Sequence, residues 1–246
     1  MPIATEQKSD IFSLAVLSGC SIGDGSRYAA DAGRLTGGEL KISVSPMRFF
    51  DWWALSYDRS LLQKLMFEPV HDAVLNAFSA AGGSAREVVD VGCGTGCLLE
   101  AAGRRWSCAR LTGIDASQAM IAEARRKYKG DARFSFKQGD ACALQLRSAS
   151  FDAVFSTYSF HYWADQASGI REVARVLQPG GLFVLADIDA PLLFVTNPLL
   201  KWIDGLNFRR PEDIQRLLEQ AELTVVTRRC FYRLGRVQLF VARKKQ

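Results

Sequence analysis

The chain has 246 residues, 48% of them apolar, and 31 Lys and Arg against 26 Asp and Glu for a formal net charge of +5. That length and composition point to a globular soluble protein with a full buried core, as one large α/β domain or two small ones. The basic excess is spread out, with only short clusters at Arg125 to Lys127, Arg209-Arg210 and Arg243 to Lys245, so a nucleic-acid partner, which wants a concentrated basic face, is disfavoured.

Residues 1–45 are rich in Gly, Ser and Ala, lack sustained periodicity, and read as a poorly ordered extension or partial cap. Two alternatives stay open here. Ile11 to Leu17 followed by Ser18-Gly19-Cys20 is similar to a bacterial lipoprotein signal, although Glu6 and Asp10 flank Lys8 where a cationic start is wanted. Met47 would also serve as the natural start. From Met47 to Phe78 apolar residues recur at helical spacing, interrupted near Tyr57-Asp58 and by Pro69. This predicts two or three short helices and a helical cap over 46–83. No apolar run approaches the roughly 20 residues that span a bilayer, so no membrane span is expected.

After Gly82-Gly83 short apolar runs alternate with amphipathic stretches. Strands are predicted at Glu87 to Val91, Arg110 to Ile114, Ala132 to Lys137, Phe151 to Ser156 and Gly181 to Ile188, and helices at Cys97 to Arg105, Ser117 to Tyr128 and Gln166 to Leu177. Such alternation indicates a doubly wound parallel sheet in an α/β core over 84–246. The pattern then breaks: a helix at Pro211 to Ala221 precedes Leu223 to Tyr232 and Val237 to Arg243, joined through Gly235 as a C-terminal antiparallel β-hairpin. Six cysteines are scattered through the chain, which fits a reducing compartment and a cytoplasmic location. Cys93 and Cys97 are close, but with His71 and His161 as the only histidines and both remote, no closed zinc site is expected.

The segment Val88-Val89-Asp90-Val91-Gly92-Cys93-Gly94-Thr95-Gly96-Cys97 runs from a buried strand through glycines into a helix. Glycines there let a ligand approach the backbone, and the helix start offers free N–H groups. This stretch resembles motif I of the class I S-adenosylmethionine (SAM)-dependent methyltransferases. Leu111 to Ser117 is a second strand ending in Asp115, 19 positions beyond Gly96, near the roughly 20 at which an acid binds ribose hydroxyls in Rossmann-like folds. The alternative for Asp115, an N-cap, competes with Ser117, which suits that role better. Gln138-Gly139-Asp140-Ala141 ends a third strand, and Val176-Leu177-Gln178-Pro179-Gly180-Gly181 resembles the family's structural motif before the fifth, where Pro179 stops the helix and the glycines turn the chain.

The resemblance implies a Rossmann-like, seven-stranded, mostly parallel sheet and SAM as cofactor. It implies a cofactor site of Asp90, Gly92, Cys93, Gly94, Gly96, Asp115, Ala116, Met120, Asp140, Ala141 and Ser156, with Asp140 facing the adenine amine and Tyr57 reaching the methionyl end. Phe49 to Asp58 and Phe160 to Trp163 are similar to the small-molecule branch that includes quinone-biosynthesis C-methyltransferases. A dinucleotide oxidoreductase would need Gly at Cys97, and Asp90 would oppose a pyrophosphate. A SAM-binding protein without transfer activity is the further alternative.

Methyl transfer is an in-line displacement that needs alignment and exclusion of water, with a base only if the nucleophile sheds a proton. His161, in the Thr157 to Trp163 loop at the carboxyl edge of the sheet, is the candidate base, the alternative being a structural hydrogen-bonding role. His71 is assigned a structural role. The segment 189–210, with Leu192, Leu193, Phe194 and Trp202, is expected to cover a small hydrophobic acceptor, the alternative being a packed connection.

Overall fold

A computed structural model describes residues 67–188, 207–232 and 236–246. Its elements in chain order are α1 (Glu68–Ala80), β1 (Glu87–Val91), α2 (Cys97–Arg105), β2 (Arg110–Asp115), α3 (Gln118–Lys127), β3 (Phe134–Gln138) and β4 (Phe151–Thr157). A single 3-10 turn at Phe160–Tyr162 follows, then α4 (Gln166–Val176), β5 (Leu177–Ile188), α5 (Pro211–Gln220), β6 (Leu223–Tyr232) and β7 (Arg236–Lys244). Residues 1–66, with Tyr57 and the lipoprotein-like run, most of the segment 189–210, and Gly235 lie outside the described residues.

Seven strands form one sheet in the order β3-β2-β1-β4-β5-β7-β6. β1 to β5 pair in parallel, whereas β7 runs antiparallel to both β5 and β6. The fold is therefore the expected α/β, Rossmann-like, mostly parallel sheet with an antiparallel C-terminal pair. Strand order reverses between β1 and β4, and that reversal opens a crevice at the carboxyl ends of the strands, where ligands of such sheets bind.

The central strands are apolar on both faces because helices cover both. One face joins Val88, Phe155, Leu182, Val184 and Leu239 to Val70, Val74 and Phe78 of α1 and Leu98 and Leu99 of α2. The other joins Val89, Val154, Phe183, Leu185 and Phe240 to Ile170 and Val173 of α4 and Ile214 and Leu218 of α5. The Arg243 guanidinium on β7 ties distant elements together, donating to the carbonyls of Gly180 at 3.0 Å and Ala81 at 2.6 Å.

Two local expectations change. Pro69, read as an interruption, stands in the first turn of α1, where a missing N–H costs no intrahelical bond, so the helix runs on through it. β5 begins at Leu177 rather than Gly181, because Leu177 pairs with Phe151 before a register shift to Ala153 opposite Leu182. α4 does stop at Val176, ahead of Pro179.

His71 is buried in α1, and burial lowers its pKa from the ordinary 6.5 to about 4. The unfolded chain therefore binds a proton that the folded one refuses between those values, and stability present above pH 6.5 is lost as pH falls toward 4. Wild type should lose about 3 kcal/mol more between pH 7 and pH 4 than His71→Leu does. Urea unfolding at the two pH values measures this; parallel losses in both proteins would contradict it.

Candidate functional site

β1 delivers its carboxyl end into the loop Gly92 to Gly96, which is pinned to the next strand: the Gly92 and Cys93 amides both donate to the Ile114 carbonyl, at 2.7 and 3.1 Å. Gly92 has φ 80°, and a Cβ there would lie 2.2 Å from the Ser159 side chain. Gly94 has φ 53°, and a Cβ on it would meet nothing within 4 Å. The loop thus packs tightly on the β4 side and opens at Gly94, the opening a ligand approaching the backbone needs.

Asp115 closes β2. Its Oδ2 accepts from the Gly94 amide at 2.8 Å and its Oδ1 from the Ser117 amide at 2.9 Å. This double tethering fixes the orientation of the carboxylate at the end of β2. Ser117 takes the N-cap of α3, its Oγ accepting from the Met120 amide at 3.1 Å, which settles the competition in favour of Ser117.

Asp90 lies between Gly113 on β2 and Phe155 on β4 and is 1% exposed. Its Oδ1 has no hydrogen-bond partner. Burial first, and then the charge of Asp115, push its pKa well above the ordinary carboxylate value. The same burial and the same two acids push the buried Cys93 thiol upward. Asp140 follows β3 and is exposed, with Oδ1 accepting from the Cys142 amide at 2.8 Å. The adjacent Gly139 amide donates to the Asp115 carbonyl at 2.9 Å. The three acids therefore stand at the carboxyl ends of the neighbouring strands β1, β2 and β3. Beside them, Ala116 is exposed, Ala141 half-buried and Met120 buried.

The loop after β4 is clasped to β1 by Ser159. Its Oγ donates to the Val91 carbonyl at 2.9 Å, lies 2.8 Å from the Ser156 hydroxyl, and accepts from the Trp163 indole at 3.3 Å. Ser156, expected at the cofactor, is fully buried within this clasp.

His161 lies two residues on, 3% exposed. Its Nδ1 is 2.6 Å from Asp187 Oδ1 and its backbone amide donates to Asp187 Oδ2 at 2.9 Å. The Ile188 amide also donates to Asp187 Oδ1, at 2.8 Å. This pairing assigns the proton to Nδ1 and leaves Nε2 as an acceptor. Phe208, from the end of the expected acceptor cover, lies nearly parallel to the imidazole with centroids 4.8 Å apart. The Asn207 amide donates to the His161 carbonyl at 2.7 Å. Sequence reading missed Asp187; the available signal was a single acid closing an otherwise apolar strand.

Residues 89–185 match the family model described as a methyltransferase domain. Over 117 residues the chain is 38% identical to a demethylmenaquinone methyltransferase of Deinococcus radiodurans, covering 47% of this chain and 48% of the relative. It is 39% identical over 116 residues to the 27-O-demethylrifamycin SV methyltransferase of Amycolatopsis mediterranei, covering 45% and 40%. The chain thus spans about half the length, or less, of these curated relatives. Among solved structures, Haemonchus contortus phosphoethanolamine N-methyltransferase 2 in complex with SAM superposes with a TM-score of 0.65 at 17% identity, covering 82% of this chain and 61% of the other, a likeness of fold. With the sheet order, the glycine loop and the sequence match in agreement, residues 89–185 are similar to the methyltransferase domain of the class I SAM-dependent enzymes.

Proposed function

We propose that this chain transfers a methyl group from SAM to a small, hydrophobic or aromatic metabolite. The observation that carries the reading is Asp90 Oδ1, buried and unpaired, with the Asp115 charge close enough to raise its pKa further. Two acids in a poorly hydrated corner repel one another, and a cation there relieves both. The sulfonium and amino groups of SAM are such cations, whereas a dinucleotide pyrophosphate would add to the repulsion.

In this reading the loop of Gly92, Cys93, Gly94 and Gly96 would hold the adenosyl group. Asp115 would hold the ribose hydroxyls, and Asp140 with Ala141 would hold the adenine amine. Ala116, Met120, Ser156 and Tyr57 complete the proposed set. When bound, SAM supplies a methyl carbon activated by the sulfonium charge. The chain's own residues align the acceptor and exclude water. His161 Nε2 takes the proton that a hydroxyl or activated carbon sheds as it attacks, and Asp187 holds Nδ1–H and steadies the resulting imidazolium. Phe208 against the imidazole supplies an apolar surface beside the proposed acceptor position. Relatives named for demethylmenaquinone and 27-O-demethylrifamycin SV support a small-molecule acceptor, and the cytoplasm, where SAM is made, is the proposed location. No helix among the described residues is long and apolar enough to cross a membrane.

Asp90→Asn should weaken SAM binding by about 10- to 150-fold, the loss of a charge-assisted contact. The ligand-free variant should nevertheless melt higher than wild type, because a buried charge without a partner is costly. Calorimetric titration and thermal melts read both quantities; unchanged SAM affinity would reject the assignment. His161→Ala should keep SAM affinity and lower methyl transfer by about 100-fold or more, measured with labelled methyl on an acceptor found by screening small-molecule extracts. Preserved turnover would remove His161 as an essential base, and SAM binding without any labelled product would favour a non-transferring protein.

A further inference from the structure

β7 carries one residue that its surroundings do not explain. Val237, Leu239, Phe240, Val241 and Ala242 are buried and apolar, but Gln238 among them is 2% exposed, and neither Nε2 nor Oε1 of its amide has a hydrogen-bond partner. Buried amides are nearly always paired, because water is given up on burial and must be replaced. An orphaned donor and acceptor on one side chain therefore call for a partner that enters the site.

Its location says which site. Gln238 is the register partner of Asp187 on β5, and residues directly opposite on antiparallel strands project to the same face. That face also holds Phe183, Leu185 and Phe240. β7 is antiparallel to β5, so the start of β7 lies at the carboxyl end of β5, beside His161. Gln238 does not serve to orient Asp187. The Asp187 oxygens already accept from the His161 amide, His161 Nδ1 and the Ile188 amide.

We propose that Gln238 is an acceptor-contacting residue, its Oε1 accepting from the hydroxyl and its Nε2–H donating to the neighbouring carbonyl of a neutral molecule that carries the two groups side by side and lies beside His161. The inference rests on the methyltransferase reading and names the acceptor class for the same site. An amide offers one acceptor and two donors, which complement a hydroxyl and a carbonyl together. The Asp187 carboxylate beside it disfavours an anionic acceptor.

The test uses the full chain saturated with S-adenosylhomocysteine and two neutral probes, 2-hydroxyacetophenone, with its hydroxyl beside a carbonyl, and phenol, which lacks the carbonyl. Wild type should bind 2-hydroxyacetophenone at least tenfold more tightly than phenol in calorimetric titration. Gln238→Leu, apolar and of similar size, should erase that difference while keeping S-adenosylhomocysteine affinity and a melting temperature equal to or above wild type. Equal binding of the two probes by wild type, binding of neither at millimolar concentration, or an undiminished preference in the variant overturns the proposal. A variant that melts well below wild type also overturns it, because the amide is then an internal structural bond. Failure of wild type to bind S-adenosylhomocysteine at all rejects the methyltransferase reading instead, so the two failures are distinguishable.

Discussion

The site is organised around a repulsion. Asp90 and Asp115 end neighbouring strands, one carboxylate sealed in the interior without a partner and the other tethered by two amides. Left to itself that pair penalises ionisation of the buried acid, a cost with no return in packing. In the proposed function a positively charged molecule completes the corner and relieves that cost. The bond from Gly94 to Asp115 couples the same repulsion to the backbone, because the acid that raises the Asp90 pKa also sets the loop's shape.

The proposed acceptor side follows a different rule. His161 pairs with Asp187, and Phe208 and Tyr162 lie against the imidazole, so the ring is fixed in place before any substrate arrives. Preorganisation of that kind lowers the reorganisation needed at the moment of reaction. Ser159 links the two sides, filling the space against Gly92 while bonding Val91, Ser156 and Trp163. Ser159 thus ties the position of the glycine loop to the segment that carries His161.

Most of the core was legible in the sequence, for physical reasons. β1 and α2 fall at Glu87–Val91 and Cys97–Arg105 as predicted, because a short run of apolar residues, a glycine turn and a helical repeat leave little freedom there. Boundaries slipped where tertiary pairing overrode local pattern. β3 starts at Phe134 rather than Ala132, since the Asp131 carboxylate captures the Arg133 amide and the Phe134 amide returns to the Asp131 carbonyl. The partnership of His161 with Asp187 spans 26 positions and was invisible to periodicity. So was the orphaned amide of Gln238, which only the register between β5 and β7 brings beside Asp187. Patterns of apolar residues reveal what is buried; they do not reveal which polar group was buried without company.

The strand order carries one more consequence. β7 comes after β6 in the chain but is inserted between β5 and β6, so during synthesis on the ribosome the β5 edge stays open while β6 emerges. The donor half, built from β1, β2 and β3, can assemble early. The other half cannot close until β7 slides into the gap, carrying Arg243 to the end of α1 and Gln238 to the side of Asp187. The nascent protein therefore acquires the two halves of the proposed site in sequence, the acidic corner and glycine loop first and the Asp187 and Gln238 side last.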